Sequence, residues 1–183
     1  MVSREDFINN VCNMDELKKN LQFFAVFIAI FENLIDYVDS HIKGLYCADS
    51  TIENGNIRYV KSREYKHLFC ERRVDEQGNK SELKAQFLWL MENGAINEEE
   101  YKLFLELKDC RNTIAHELLN RIMTGVFKKE RDRLSEMIEL YAKIDRWWWE
   151  TFDSEIYKNC EYDDIHSIII DYIEIVKKLV IQE

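Results

Sequence analysis

The chain has no proline and only 5 glycines among its 183 residues, whereas average usage would give about 9 prolines and about 13 glycines at this length. These two residues most often end or interrupt regular secondary structure. Their scarcity argues against a fold built from many short elements and tight turns. Because Leu, Ile, Glu and Lys are abundant, the composition favours long helices joined by few loops.

The sequence also shows neither the pattern of a secretory signal nor an apolar run long enough to span a membrane. The opening residues, MVSREDFINN, carry charges and no apolar stretch with a cleavage site. The most apolar run, Leu21 to Phe31, is about half of the ~20 residues that a transmembrane helix needs, and Glu32 and Asn33 close it. We therefore predict a buried helix at this run and a cytoplasmic protein without a membrane partner.

Paired cysteines are absent as well. The 5 cysteines are odd in number, widely spaced and free of any CxxC pair, a pattern typical of reduced thiols in a cytoplasm. The acidic run Glu98 to Glu100 is explained as favourable charge at a helix N-terminus. We therefore predict no metal site, no disulfide and no cofactor.

The charge distribution excludes general binding to polyanions but allows local recognition of phosphate. The formal net charge is −10, and salt-driven binding to nucleic acid normally needs a basic face. Two segments are basic nonetheless. Between Arg58 and Arg73, 6 Lys/Arg face 2 Glu (6 − 2 = +4), and between Arg121 and Arg133, 5 face one Glu and one Asp (5 − 2 = +3). Each segment is either a phosphate-binding patch or an ordinary solvated helix face.

Apolar periodicity predicts an all-α, single domain over residues 1–183, a bundle of five or six helices. The first helix is predicted from Asp15 to Tyr46, with apolar residues at alternating steps of four and three. The other predicted elements are a loop at 49–56, a short helix over 58–73, a turn at 75–80, a helix from Ser81 to about Asn93, a helix from Asn97 to about Thr124, a helix from about Lys128 to Lys158, and a last helix capped by Asp163 or Asp164.

The helix predicted over 97–124 contains an unusual polar cluster, KDCRNTIAHELLN at 108–120. At 100° per residue its core stripe comprises Leu103, Leu107, Cys110, Ile114 and Leu118. Arg111 lies on the edge of that stripe, whereas Asn112 and His116 lie together on nearly the opposite side. A second apolar seam accompanies this polar pair and favours contact with a second copy of the chain. It consists of Tyr101, Leu105, Leu119 and Met123.

The order Arg111-Asn112-x-x-x-His116 within a helix of a short helical protein resembles the HEPN family, whose motif is an arginine, a polar residue and a histidine four to six residues farther along. The resemblance covers about ten residues. It implies a HEPN-like bundle that dimerises through this helix and acts as a metal-independent endoribonuclease. It also implies a toxin–antitoxin or phage-defence setting, with a cognate antitoxin or sensor protein as a possible partner.

The three motif residues suit that reaction, the attack of an RNA 2′-hydroxyl on the adjacent phosphate that leaves a cyclic phosphate. His116 offers proton transfer near neutral pH, Arg111 a permanent cation for charge on the phosphate, and Asn112 both a donor and an acceptor. A homodimer supplies a second histidine and so a composite site. RNA binding is further predicted for basic residues interleaved with aromatic ones. They are Lys61, Arg63, Lys66, Arg72 and Arg73.

Two other interpretations of the motif remain open. His116 is alternatively a partly buried histidine satisfied by a backbone or side-chain partner, and Arg111 a structural ion-pair residue. The chain is then a non-catalytic HEPN-like helical module that binds a partner protein or a nucleotide, and its acidic balance favours this rival.

Overall fold

The computed structural model of the protein describes residues 3–53, 56–126 and 128–157, together with Cys160, Tyr162 and Asp171. These residues are mostly helical with one two-stranded sheet, so the predicted all-α class is confirmed. The regular elements are α1 (Arg4–Phe7), α2 (Met14–Tyr46), β1 (Cys47–Glu53), β2 (Asn56–Lys61), α3 (Arg63–Tyr65), α4 (Glu82–Glu92), α5 (Glu98–His116), α6 (Leu118–Thr124) and α7 (Lys128–Trp148). Three π-helical turns extend α1, α3 and α7, at Ile8–Cys12, Lys66–Cys70 and Trp149–Asp153.

Helix α2 forms where the apolar stripe predicted it. Its start is fixed by Asn13, whose side-chain oxygen accepts a hydrogen bond from the backbone N–H of Asp15 (3.1 Å). The stripe is buried from Phe24 onward at most of its positions, whereas Leu21 is 43% exposed. Its buried members include Phe24, Phe27, Phe31, Leu34, Val38 and Ile42.

By length and composition, α2 is also apolar enough to cross a membrane. Its most apolar 18-residue window has a mean hydropathy of 1.6, and 39% of that window is buried within the protein. The core helix of a soluble protein and an N-terminal signal sequence both fit this description, so the cytoplasmic location stays a prediction.

The described residues group into two compact units. The first draws on Met1–Glu32 and Lys102–Glu183, and the second on Asn33–Tyr101. Helices α2 and α5 each contribute residues to both units. The predicted single domain over residues 1–183 stays a prediction.

The second unit departs from the prediction at its start. The predicted turn or loop at 49–56 is wrong for 49–53 and for Asn56, because β1 and β2 form an antiparallel hairpin in which Glu53 pairs with Asn56. The predicted helix over 58–73 is also wrong at its start, since Arg58 to Lys61 belong to β2. Only α3 and the π turn Lys66–Cys70 are helical there, and Ser62 caps α3 by accepting from the N–H of Tyr65 (3.0 Å).

The remainder of the second unit agrees with the prediction. The turn at 75–80 contains Gly78 in the left-handed region, with φ of +78°. Ser81 caps α4 by accepting from the N–H of Lys84 (3.4 Å), and the helix ends at Glu92. Short, polar turn sequences and a capping serine therefore predicted these boundaries correctly.

In the first unit, two predicted helices are divided. The helix expected to run to Thr124 breaks at Glu117 into α5 and α6, and Gly125 (φ +79°) ends α6 as predicted. The helix expected to reach Lys158 ends at Trp148 and gives way to a π turn. The last predicted helix, from Asp163 or Asp164, lies outside the described residues.

The buried face of α5 is rotated from the predicted stripe. Phe104, Leu107 and Ile114 are its buried residues, whereas Leu103, Cys110 and Leu118, which were assigned to the core, are only half-buried. At 100° per residue, this rotation moves Arg111 from the edge of the core face into it.

Candidate active site

Helix α5 positions the motif, and its start is built as the sequence predicted. Asn97 accepts from the N–H of Glu100 (2.9 Å), and Glu100 accepts from the N–H of Asn97 (2.7 Å), which is a reciprocal capping box. From this start the helix runs to His116. Arg111 and Asn112 therefore lie in its C-terminal half, and His116 is its last residue.

Arg111 is engaged by two neighbours. Its guanidinium forms an ion pair through Nη2 with Glu32 of α2, and its Nη1 donates to Oδ1 of Asn112 (3.2 Å). The Nε–H is buried and has no hydrogen-bond acceptor among the described residues. The Nε–H donor of Arg111 thus remains unused, while the charge of the guanidinium is balanced by the carboxylate of Glu32.

His116 is in the opposite situation. Its side chain is exposed, and within the described ranges no hydrogen bond or ion pair involves it. Asn112 lies one helical turn earlier but directs its carbonyl oxygen to Arg111. The structure therefore joins two of the three motif residues and leaves the imidazole open to solvent.

A cleft of about 610 Å³ lies along the motif helix in the first unit, and Arg111, Asn112 and His116 are not among its described lining residues. Thr113, inside the motif, lines it from α5, and residues of the basic segment 121–133 line it from α6 and α7. The described residues that line it are Glu106, Asp109, Cys110, Thr113, Arg121, Lys129, Glu130 and Arg133. The fold thus brings one of the two basic segments of the sequence to the motif helix.

The charges of the cleft are largely matched. Arg121 Nη1 donates to Oε1 of Glu130 at 2.9 Å, and Glu130 is only 5% exposed. Arg133 forms ion pairs with Glu106 and Glu136. Lys129 is exposed and has no ion pair within the part of the chain that the structure describes. Its ammonium group is therefore available to an anionic ligand.

Cys110 lies in the same cleft as a free, half-buried thiol. Burial raises its pKa above the usual value, and the nearby carboxylate of Glu130 raises it further. The thiol is therefore protonated at neutral pH, which does not suit it to act as a nucleophile.

The five residues predicted to bind RNA, all in the second unit, divide into two groups. Lys61 and Arg72 are held in ion pairs, with Glu82 (2.7 Å) and Glu92 respectively. Arg63, Lys66 and Arg73 are exposed. Only the second group presents an uncommitted charge.

The four residues of the predicted dimer seam also differ in exposure. Leu119 on α6 is 75% exposed, whereas Tyr101, Leu105 and Met123 are half-buried. The backbone carbonyl of Met123 accepts from Nδ2 of Asn10 (3.1 Å), which joins the N-terminal segment to α6. Leu119 is thus the most exposed member of the seam.

A second polar network, which no pattern in the sequence indicated, is centred on Glu82 of α4. Its carboxylate accepts from Nζ of Lys61 (2.7 and 2.8 Å) and from the hydroxyl of Tyr65 (2.5 Å). Gln86 donates to that hydroxyl (3.2 Å) and to Asp39 (2.8 Å). Lys61 and Glu82 are 21 residues apart, so no local spacing rule could have found the pair.

Ionisation in this network follows from burial and hydrogen bonding. Burial alone raises the pKa of Glu82, but the hydrogen bonds from Lys61 and Tyr65 outweigh it and lower that pKa below its usual value. Burial, followed by the Glu82 carboxylate, raises the pKa of Tyr65 far above its usual value of 10.0. Glu82 is therefore charged and Tyr65 neutral at physiological pH.

Among the described residues, no group of three or more His, Cys, Asp or Glu side chains is arranged to hold a metal ion. Comparisons of the chain with protein-family models, with curated proteins and with solved structures found no match.

Proposed function

We propose that this protein is a metal-independent endoribonuclease of the HEPN type, which cuts RNA by attack of a 2′-hydroxyl and leaves a cyclic phosphate. The observation that carries the proposal is the state of His116. A histidine at the end of a well-capped helix, exposed and without a partner in the described chain, is free to exchange protons with a substrate.

The three motif residues have separate roles in the proposed reaction. His116 takes the proton from the 2′-hydroxyl as its oxygen attacks the phosphorus atom, and the bond to the 5′-oxygen breaks. Arg111 stabilises the charge that develops on the phosphate oxygens. Asn112 orients the guanidinium of Arg111, to which it is already hydrogen-bonded (3.2 Å).

The cleft lined by Thr113 supplies room for a part of the RNA next to the proposed cleavage site, since the three motif side chains themselves do not line it. At about 610 Å³ it falls within the range of small-ligand pockets, roughly 300–1,000 Å³. Lys129 is its uncommitted cation and is suited to a phosphate next to the scissile bond. Because DNA has no 2′-hydroxyl, we expect it to remain intact.

The leaving 5′-oxygen needs a proton donor, and one chain offers a single motif histidine. We propose a homodimer in which the partner's His116 donates this proton. The exposed Leu119, three residues beyond His116, supports a contact at this end of the helix. Phe7 and Ile8 are also exposed on the segment that is joined to α6.

The setting that we propose is cytoplasmic, in a toxin–antitoxin or phage-defence system with a cognate antitoxin or sensor protein. One observation favours the rival function, a non-catalytic HEPN-like module that binds a partner protein or nucleotide. It is the ion pair between Arg111 and Glu32, because a structural arginine is expected to be neutralised in this way.

The test is incubation of a mixed RNA pool with wild-type protein and with His116→Ala in EDTA, followed by mapping of the new termini. We expect the wild type to leave cyclic phosphates and the variant to lose about 10²- to 10⁴-fold in rate, the usual effect of removing a general acid or base. Glu117→Gln is the matched control, since it changes the adjacent exposed side chain and should keep full activity.

Two results contradict the proposal. Equal cutting by wild type and His116→Ala places the activity elsewhere. Intact RNA with wild-type protein, across many RNAs and at concentrations where the dimer forms, supports the non-catalytic module instead.

A further inference from the structure

A second cleft, of about 710 Å³, lies wholly in the second unit. It is lined by His67, Leu68, Glu71, Arg72, Arg73, Lys80 and Glu92. Lys80 was not among the residues that the sequence predicted to bind RNA. It faces Arg73 across an isolated antiparallel bridge.

The backbones of Arg73 and Lys80 lie directly opposite each other. Opposed residues of an antiparallel pair have Cα atoms about 4.5–5.5 Å apart and side chains on the same face. Like charges placed directly opposite each other are unfavourable. Arg73 and Lys80 are both exposed, and within the described ranges neither has a hydrogen bond or an ion pair.

Glu92 and Asp75, in and beside the cleft, are already engaged, whereas Glu71 and Glu76 are exposed. Glu92 accepts both ends of the Arg72 fork, and Glu71 lies 4.0 Å from His67. Asp75, in the turn itself, accepts from the backbone N–H of Asn79 (2.9 Å) and from its side chain (3.0 Å). Arg73 and Lys80 therefore remain an unmatched pair in a chain with 35 Asp and Glu against 25 Lys and Arg.

The turn that presents this pair is held in one conformation. Asp75 and Asn79 fix its polar side, and the N–H of Gly78 donates to the carbonyl of Asp75 (3.0 Å). Gly78 adopts φ of +78°, a backbone conformation in which a residue with a side chain is strained. A Cβ at Gly78 would lie 3.7 Å from Cδ of Arg73, so the Arg73 side chain lies over the glycine. A preorganised pair of cations loses little freedom on binding an anion.

We propose that Arg73 and Lys80 form a phosphate-binding site for the backbone of single-stranded RNA, distinct from the residues that carry out cleavage. The pair binds phosphate groups, and His67 lies at the wall of the same cleft. Arg63 and Lys66 are exposed on the helical segment that precedes Leu68 along the chain. The choice of RNA as the ligand rests on the ribonuclease function proposed above.

The experiment measures binding without cleavage. A fluorescent, single-stranded 2′-O-methyl RNA has no free 2′-hydroxyl, so it stays intact whether or not the protein is a ribonuclease. Its affinity is measured by anisotropy over a range of salt concentrations, for wild type and for Arg73→Gln/Lys80→Gln. Lys18→Gln/Lys19→Gln is the matched control, because it removes the same charge from α2 in the first unit.

We expect the Arg73/Lys80 variant to bind roughly two- to thirtyfold more weakly, the range for the loss of two exposed ion pairs. The slope of log affinity against log salt should become shallower by about 1.4, or about 0.7 for each phosphate contact on a single strand. The control variant and Arg73→Lys should bind as the wild type does.

An unchanged affinity and salt slope for the double variant would overturn the proposal. So would an equal loss in the Lys18/Lys19 control, because the effect would then come from net charge alone. The cleavage proposal is tested separately, with unmodified RNA and His116→Ala. If only that proposal fails, the Arg73/Lys80 variant still binds the 2′-O-methyl RNA more weakly than the wild type does.

Discussion

The two polar networks of the protein differ in how far their hydrogen-bonding capacity is used. Around Glu82, the carboxylate, an ammonium group and a phenol all bind one another. Around Arg111, the guanidinium has a carboxylate and an amide as partners, but His116 has no partner within the described chain. A network with every group satisfied stabilises one conformation, whereas an exposed titratable group adds little stability and remains available for chemistry.

The first way to sharpen this comparison is to remove the central group of each network. Glu82→Ala leaves Lys61 and the Tyr65 hydroxyl without their acceptor, so we expect the free energy of unfolding to fall by about 1–3 kcal/mol. His116→Ala should change that quantity by less than about 0.5 kcal/mol, because the side chain is exposed. Urea denaturation of both variants measures the two effects, and a larger loss for His116→Ala would make the histidine structural.

A second prediction concerns exposed apolar side chains. Leu119 is 75% exposed and Ile52, on the hairpin, is 78% exposed. We expect Leu119→Asp to weaken dimerisation at least tenfold, or about 1.4 kcal/mol, with little change in monomer stability. Ile52→Asp is the matched control and should leave the dimer intact. Sedimentation velocity over a dilution series measures both, and a dimer that tolerates Leu119→Asp places the interface elsewhere.

The Glu82 network also predicts how stability depends on pH. The pKa of Glu82 in the folded protein lies below its ordinary value of 4.5, so the group stabilises the fold above that pH. This contribution is lost as the pH falls through the folded-state pKa. Because Glu82 and Lys61 are each about one-third exposed (33% and 35%), solvent screening limits the effect to roughly 1 kcal/mol.

The measurement is the difference in unfolding free energy between wild type and Glu82→Gln, from about pH 7 down to about pH 3. The wild type should lose its advantage toward the acid end. A difference that stays constant over this range would show that the Glu82 charge contributes nothing to stability.

The sequence predicted local features well and distant contacts poorly. Helix α2, the Ser81 cap and the capping box of Asn97 and Glu100 follow from residues within one or two turns, so their patterns are visible in the chain. The hairpin at 47–61 was missed although Asn54-Gly55, between segments rich in β-branched residues, is a known hairpin signal. The polar composition of the segment led to its interpretation as a loop.

The same limit applies to the candidate site. Arg111, Asn112 and His116 are recognisable because they lie within six residues of one another. Glu32, which pairs with Arg111, is 79 positions away (111 − 32 = 79), and only the packing of α2 against α5 within the first unit reveals it. Whether a motif arginine is free or paired is therefore a property of tertiary structure.

The ion pair between Arg111 and Glu32 gives the prediction with the smallest expected effect. It distinguishes a catalytic Arg111 from a structural one. If Arg111 stabilises the phosphate, Glu32 competes with the substrate for the same guanidinium, while Asn112 continues to orient it through the 3.2 Å hydrogen bond. Glu32→Gln keeps the shape and an acceptor but removes the charge. We expect kcat/KM for RNA cleavage to rise about two- to fivefold, because Glu32 is exposed enough (44%) for the ion pair to be worth less than about 1 kcal/mol. A fall in kcat/KM would instead make Glu32 a positioning residue that holds Arg111 for catalysis, whereas an unchanged kcat/KM would make the pair of Arg111 and Glu32 structural.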